Sequence, residues 1–219
     1  MIAAEDLSCI EADCPLCKSK GIYFYHNRIH VYFSCLLCRG VFVNRATLPD
    51  REAELSRYKE HNNDVNDPGY QNFVSPIVES VLRDYSTGHD GLDFGCGPGS
   101  VISKLLSDKG YRINQYDPYF SHSPHLLKRK YDYIVCCEVI EHFYNPYKEF
   151  ALLRKILSVG SALYCMTDIL TDKTDFGKWY YKNDKTHVFF YRHETLAWIG
   201  EQFGFRNISV NNRLITFCG

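Results

Sequence analysis

The chain has 219 residues, of which 45% are hydrophobic and 23% are charged, and its net charge is −1. This composition excludes a disordered chain and argues against a protein held to nucleic acid by bulk positive charge. The length suits one large domain, or a medium domain with a small one, and no apolar run approaches the roughly 20 residues that span a bilayer. We therefore expect a folded protein without a membrane span.

The chain contains 10 cysteines, which bear on its cellular compartment. The N-terminal residues are acidic and have neither the basic region nor the apolar region of a signal peptide. We therefore expect a cytoplasmic protein with reduced thiols. In that compartment, clustered cysteines bind metal more often than they form disulfides.

Residues 1–45 contain two Cys-x-x-Cys pairs, Cys14 with Cys17 and Cys35 with Cys38. Two aromatic, β-branched runs lie between the pairs and predict a hairpin. Four thiolates complete the tetrahedron that structural zinc prefers, so the spacing predicts a small N-terminal zinc ribbon. The metal would supply folding energy that so short a segment cannot obtain from its own core.

Other roles for these thiols are redox chemistry or simple burial. A redox pair would need a βαβ context, and the sequence around Cys14 lacks one. Cys9 lies outside the spacing and is expected to be free. His26 and His30 could replace a thiolate, but their positions in the hairpin favour ordinary strand residues.

Residues 46–90 are polar and carry helical patterns. Helices are predicted over residues 49–60 and 73–82, with a loop rich in Asn, Asp, Pro and Gly over residues 61–69. We expect this segment to bridge the ribbon and the main domain.

Strand and helix signals alternate through residues 91–219, which predicts a doubly wound α/β sheet. Strands are predicted at residues 92–94, 112–116, 133–137, 162–166, 207–210 and 214–218, and helices at residues 101–109, 146–157 and 194–203.

A glycine-rich turn links the first of these strands to the first helix. Gly95, Gly97 and Gly99 allow the backbone to turn tightly and to approach a ligand closely. Asp117 ends the next strand, where a carboxylate can accept hydrogen bonds from a ribose diol.

Residues 93–99, Asp117 and residues 131–142 together resemble a class I S-adenosylmethionine-dependent methyltransferase with a Rossmann-like sheet. They are most similar to the branch that includes the ubiquinone-biosynthesis O-methyltransferases, and the resemblance covers residues 73–219. It implies that the glycine turn wraps the methionine part of the cofactor and that Asp117 binds the ribose. The residues it implies for cofactor binding are Asp93, Gly95, Cys96, Gly97, Gly99, Asp117, Pro118, Cys137 and Glu138. For Asp93, an equal alternative is that it only orders the turn.

The spacing departs from this family at one place. Only residues 118–130 separate Asp117 from the next strand, too few for the usual helix, edge strand and second helix. We therefore predict a six-stranded sheet without the usual third strand. Tyr119, Phe120 or the bridge between residues 58 and 73 would then cover the adenine ring.

Candidate catalytic groups follow the fourth strand of the family. Glu138, Glu141 and His142 would share one face of a helical turn, where they could hold a divalent ion. The same pattern resembles a magnesium site attributed to the quinone O-methyltransferases. Alternatively, Glu141 and His142 only order the turn, or His142 orients or deprotonates the methyl acceptor.

An aromatic loop over residues 179–191 contains His187 and follows the fifth strand of the family. It could stack on an acceptor ring and offer His187 as a base, or it could be a covering loop whose aromatics are core. Residues 61–63 are a candidate lid on the cofactor side, or a plain solvated turn.

The sequence therefore predicts an S-adenosylmethionine-dependent methyltransferase acting on a small-molecule acceptor. One alternative is an rRNA or tRNA methyltransferase that binds RNA through the ribbon, and another is a non-catalytic cofactor-binding module. The near-neutral total charge and the lack of an Asn-Pro-Pro-Tyr motif disfavour RNA. The ribbon nevertheless carries the basic residues Lys18, Lys20, Arg28, Arg39 and Arg45.

Overall fold

The computed structural model describes residues 10–60 and 64–219. The strands are β1 (Glu11–Asp13), β2 (Lys20–His26), β3 (Val31–Cys35), β4 (Val41–Val43), β5 (Asp90–Phe94), β6 (Arg112–Tyr116), β7 (Tyr131–Cys137), β8 (Leu157–Met166), β9 (Phe189–Phe190), β10 (Asn207–Asn211) and β11 (Leu214–Cys218). The α-helices are α1 (Arg51–Lys59), α2 (Pro68–Asp84), α3 (Val101–Ser107), α4 (Pro146–Ile156) and α5 (His193–Phe203).

A six-stranded sheet forms the centre of the main domain, in the order β10-β11-β8-β7-β5-β6. The strands from β8 to β6 are parallel, and β11 and β10 close the sheet as an antiparallel hairpin. This arrangement confirms the predicted α/β class with a mainly parallel sheet, and the strand number is the predicted one.

Helices cover both faces of this sheet, which explains why β7 is apolar from Tyr133 to Cys137. Tyr133 and Val135 point toward the face covered by α2 and α3. Ile134 and Cys136 point toward the face covered by α4 and α5. A strand buried on both faces cannot alternate polar and apolar residues.

The short connection after β6 contributes no strand to the sheet. Residues 118–130 are all described, and they form a 3-10 helix at Pro124–Lys128 with loops on either side. β6 is therefore an edge strand, and its carboxyl end stays open toward the cavity described below.

A second sheet contains the predicted ribbon hairpin, β2–β3, in the order β1-β2-β3-β4-β9. Its last strand comes from the main domain, because Phe42 pairs with Phe189 and Val41 pairs with Phe190. Around this junction, Tyr32 of the hairpin shares one buried cluster with Phe190. The two sheets are thus joined by backbone pairing as well as by side-chain packing.

The helix α2 begins five residues before the predicted start. Asp67 accepts a hydrogen bond from the backbone N–H of Gly69 at 2.8 Å, and Pro68 occupies the first helical turn. A capping acid followed by proline is a typical helix start, so part of the predicted loop is helical. The candidate lid at residues 61–63 and the unassigned Cys9 lie outside the described residues.

Among the described residues, no helix combines the length and the apolar character that crossing a membrane requires.

Candidate cofactor and acceptor site

A cavity of about 1180 Å³ opens at the carboxyl ends of β5, β6 and β7. In open parallel sheets, ligands bind at this edge. The glycine turn and Asp117 line one end of the cavity, and His142 and His187 line the other. Helix α1 contributes residues of the wall between them.

The glycine turn has the backbone conformation that its sequence demands. Gly95 and Gly97 have φ values of +78° and +64°, in the left-handed region that favours glycine. A Cβ atom on Gly95 would lie 2.6 Å from the side chain of Val139. Gly95, Gly97 and Gly99 all line the cavity, together with Cys96.

Asp117 holds this turn from the end of β6. Its Oδ2 accepts a hydrogen bond from the N–H of Gly97 at 3.0 Å. Its Oδ1 accepts from the N–H groups of Tyr119 at 2.7 Å and Phe120 at 3.0 Å. The carboxylate therefore joins the glycine turn to the loop after β6, and Pro118 also lines the cavity beside it.

Asp93 is buried at the end of β5 and accepts hydrogen bonds from two serines of the following helix start. These donors are the hydroxyls of Ser100 and of Ser103, the latter at 2.8 Å. Burial raises the pKa of Asp93 to about 6. These contacts favour the ordering role of Asp93 over direct ligand contact.

Glu138 follows β7 with a φ of +53°, which is rare for a residue other than glycine. Its two carboxylate oxygens lie 2.7 and 2.6 Å from Nη2 of Arg213, in the turn between β10 and β11. Burial raises the pKa of Glu138 despite this partner. Cys137 and Glu138 were predicted to line the cofactor site, and both line the cavity. No sequence motif around Arg213 indicates its contact with Glu138.

The two histidines adopt defined orientations at the acceptor end. His142 donates from Nδ1 to the carbonyl oxygen of Thr186 at 2.9 Å, and His187 donates from Nδ1 to that of Tyr181 at 2.7 Å. Because a carbonyl oxygen can only accept, each neutral ring carries its proton on Nδ1, and Nε2 is the proton acceptor. The ring centroids lie 4.8 Å apart. Sequence analysis identified both histidines but not their contact.

Glu141 is fully buried and has no surface toward the cavity. It accepts a hydrogen bond from the hydroxyl of Tyr181, and its Oε1 lies 3.9 Å from Nε2 of His187. Burial, reinforced by the charge of Glu138, raises its pKa well above the usual range. Glu141 can therefore reach a ligand only through its neighbours.

The predicted magnesium ligands Glu138, Glu141 and His142 do not share one ion site. The carboxylate of Glu138 is bound by Arg213, and the ligand atoms that lie within 4.8 Å of one another belong to Glu141, His142 and His187. Magnesium favours oxygen ligands, so this set of two nitrogens and one oxygen does not suit it.

A family model described as a methyltransferase domain matches residues 58–210. The chain belongs to this methyltransferase domain family. The match includes every predicted cofactor and catalytic residue, from Asp93 to His187, and it confirms the prediction of a methyltransferase. No curated protein matches the chain.

Solved methyltransferase structures share the fold of this domain. An O-methyltransferase family protein from Burkholderia thailandensis has a TM-score of 0.53 and 12% identity, with 76% of this chain and 62% of that one covered. Human N-acetylserotonin methyltransferase, solved with S-adenosylmethionine, has a TM-score of 0.52 and 12% identity, with 76% and 56% covered. An S-adenosylmethionine-dependent methyltransferase from Archaeoglobus fulgidus has a TM-score of 0.50 and 20% identity, with 64% and 71% covered. The chain thus spans less than two thirds of the length of the first two of these proteins.

Helix α1 adds Glu54 and Arg57, which sequence analysis missed, to the cavity wall beside Tyr58, the start of the predicted bridge. Glu54 accepts hydrogen bonds from the hydroxyls of Tyr58, at 2.7 Å, and Tyr119. Arg57 donates to Oδ2 of Asp184 at 3.1 Å from Nε and 2.8 Å from Nη2. The spacing of Glu54, Arg57 and Tyr58 on one helical face was the available signal.

The four predicted zinc ligands converge at the base of the ribbon hairpin. The Sγ atoms of Cys14 and Cys38 lie 3.7 Å apart, and those of Cys17 and Cys35 lie 3.3 Å apart. All four sulfurs lie within 4.8 Å of one another. Thiolates bound tetrahedrally at the usual zinc–sulfur distance lie about 3.8 Å apart, so the arrangement suits this ion.

Proposed function

We propose that the protein is an S-adenosylmethionine-dependent methyltransferase that acts on a small-molecule acceptor. The observation that carries the proposal is that one and the same cavity has the glycine turn and Asp117 at one end and the two histidines at the other. Methyl transfer requires a donor and an acceptor held in line with water excluded. A cavity of about 1180 Å³ has room for both molecules.

The cofactor end is assigned to the residues around the glycine turn. The fit rests on the two positive φ values in the turn and on the carboxylate of Asp117 beside it. The bound cofactor would supply an electrophilic methyl group. In our proposal Asp117 accepts from the ribose hydroxyls, and the residues around the methionine part are Gly95, Cys96, Gly97, Gly99, Cys137 and Glu138. Tyr119 and Phe120, which line the cavity after Pro118, cover the adenine ring.

The acceptor end is assigned to His142 and His187. Each ring presents Nε2 as its proton acceptor, because Nδ1 is committed to a backbone carbonyl. An acceptor hydroxyl that loses its proton as the methyl group arrives needs such a base. The rings of Tyr58 and Tyr181 contact these histidines and limit the access of water.

The domain organisation that we propose is a zinc ribbon at residues 1–45, a bridge and cofactor lid at residues 46–90, and the methyltransferase domain at residues 91–219. Zinc is supported by the convergence of Cys14, Cys17, Cys35 and Cys38. We also propose a cytoplasmic location, where reduced cysteines can bind metal.

The branch that we propose is that of the ubiquinone-biosynthesis O-methyltransferases. Its support is the sequence of residues 138–142 and not a shared ion site, because Glu138 is paired here with Arg213. Oxygen is therefore the favoured methyl-accepting atom.

The test combines cofactor binding with transfer of a labelled methyl group. The purified chain should bind S-adenosylhomocysteine in calorimetry, and it should transfer label from S-adenosylmethionine into a metabolite extract rather than into RNA. His187→Asn should bind S-adenosylhomocysteine as the wild type does and transfer at least roughly 100-fold more slowly. Label entering RNA would overturn the small-molecule acceptor, and failure to bind S-adenosylhomocysteine would overturn the enzyme.

A further inference from the structure

Asp184 lies between helix α1 and the two histidines of the acceptor end. Its Oδ2 accepts both hydrogen bonds from the guanidinium of Arg57, while its Oδ1 turns toward its own loop. The side chain of Asp184 is 11% exposed and that of Arg57 is 36% exposed. The pair is thus partly withdrawn from water, where a charged hydrogen bond is stronger than on an open surface.

The loop that Asp184 organises carries the groups that orient both histidines. Oδ1 accepts from the N–H of Thr186 at 2.9 Å and from its hydroxyl at 2.6 Å. The carbonyl of the same Thr186 accepts from Nδ1 of His142. The N–H of His187 donates to the backbone carbonyl of Asp184 at 3.2 Å. The carboxylate of Asp184 therefore fixes Thr186, whose carbonyl orients His142, and the backbone of Asp184 holds the chain at His187.

Helix α1 connects this turn to the opposite end of the cavity. The ring of Tyr58 contacts His142 at 5.3 Å and Tyr119 at 5.6 Å between centroids. Glu54 accepts from the hydroxyls of both tyrosines. The N–H of Tyr119 donates to Asp117, the residue assigned to the ribose. A continuous set of contacts thus runs from Asp117 through α1 to Asp184.

We infer that Arg57 and Asp184 are positioning residues for the pair of His142 and His187. Through them, helix α1 links the occupancy of the cofactor end to the order of the acceptor end. Binding at Asp117 holds Tyr119 and α1 in place, and Arg57 then holds the turn at Thr186. This inference rests on the proposed function for the identity of the cofactor and for the assignment of the two ends of the cavity.

Amide hydrogen exchange of the full chain tests the link without an identified acceptor. In the wild type, S-adenosylhomocysteine should slow the exchange of the Thr186 and His187 amides. In Arg57→Met and in Asp184→Asn, the same compound should still bind, but this slowing should shrink roughly tenfold, as loss of a charged hydrogen bond implies. Arg57→Lys, which keeps the charge, should recover part of the effect.

Arg129→Gln is the matched control, because it removes an arginine that binds Asp90 at 2.6 Å at the amino end of β5, opposite the end that lines the cavity. It should leave the cofactor-dependent slowing unchanged. Urea denaturation of each variant separates a local effect from general loss of stability. Unchanged slowing in Arg57→Met would overturn the inference while leaving the proposed function intact. If the wild type binds S-adenosylhomocysteine without slowing these amides, the link is absent. If it does not bind, the proposed function fails instead.

Discussion

Arg213 binds both carboxylate oxygens of Glu138 through one terminal nitrogen, at 2.7 and 2.6 Å. The guanidinium also lies over the rings of Phe73 and Tyr181, with its carbon 5.4 and 5.3 Å from their centroids. Arg213 therefore joins three elements, which are the turn between β10 and β11, the end of β7, and helix α2. Glu138 holds a positive φ at the cavity wall next to this contact.

Replacing this cation should destabilise the fold. Arg213→Met leaves Glu138 without its cationic partner, although both side chains keep about a quarter of their surface exposed. We expect a loss of about 2 kcal/mol, less than for a fully buried pair, measured by urea denaturation. The double variant with Glu138→Gln should recover most of the loss. Equal losses in the single and double variants would contradict a role for the ion pair.

This contact also shows where sequence analysis reaches its limit. The glycine turn, the acid after β6 and the cysteine pairs are local patterns, because their spacing and residue types reflect one turn or one strand end. Arg213 is 75 residues from Glu138, and Arg57 is 127 residues from Asp184. No local sequence pattern predicts such pairs, because the residues come together only through the tertiary fold.

The ribbon also contains one element that its local sequence predicts and another that depends on tertiary contacts. The predicted hairpin depends on residues 21–34 alone, and it is present as β2–β3. β9 has only two residues, and it becomes a strand because Val41 and Phe42 offer an open edge. Tertiary contact overrides the weak local signal of so short a segment.

The zinc proposal predicts that the ribbon and the acceptor loop lose order together. Purified wild-type protein should contain about one zinc per chain, and Cys38→Ser should lose it. Because β4 pairs with β9, the amides of Val43 and Phe190 should then exchange faster. Metal analysis and hydrogen exchange measure the two effects.

Cys218→Ser is the control for this experiment, since Cys218 lies in β11 outside the cysteine cluster. It should retain zinc and the wild-type exchange rates. Full zinc content in Cys38→Ser would show that the four sulfurs do not form the metal site.

Asp93 should make stability depend on pH. Its pKa is about 6 in the folded chain, raised by burial from an ordinary value of 3.8. Because the pKa is higher in the folded chain, protonated Asp93 stabilises the fold relative to the unfolded chain. This contribution to the free energy of unfolding is complete below about pH 4 and is lost as the pH rises through about 6. The difference between the two pKa values corresponds to a change of about 3 kcal/mol in the free energy of unfolding.

Asp93→Asn removes this titration while keeping the shape of the side chain. In urea denaturation from pH 4 to 7, the stability of the wild type relative to this variant should therefore fall as the pH rises. Asp108→Asn removes an acidic charge that pairs with Lys104 on the surface at the C-terminal end of α3, and it controls for the loss of such a charge. A difference between wild type and Asp93→Asn that is constant with pH would contradict the burial effect.

Gly95 and Gly160 provide a matched pair for testing the cofactor turn. Both have a φ of +78°, so an added Cβ strains either backbone by about 1 kcal/mol. At Gly160 nothing lies within 4 Å of that atom, whereas at Gly95 it meets Val139 at 2.6 Å. Gly95→Ala should therefore displace the turn and weaken S-adenosylhomocysteine binding at least roughly tenfold in calorimetry, equivalent to 1.4 kcal/mol. Gly160→Ala should bind as the wild type does, and adding Val139→Ala to Gly95→Ala should restore part of the affinity. Wild-type affinity in Gly95→Ala would place the cofactor away from this turn.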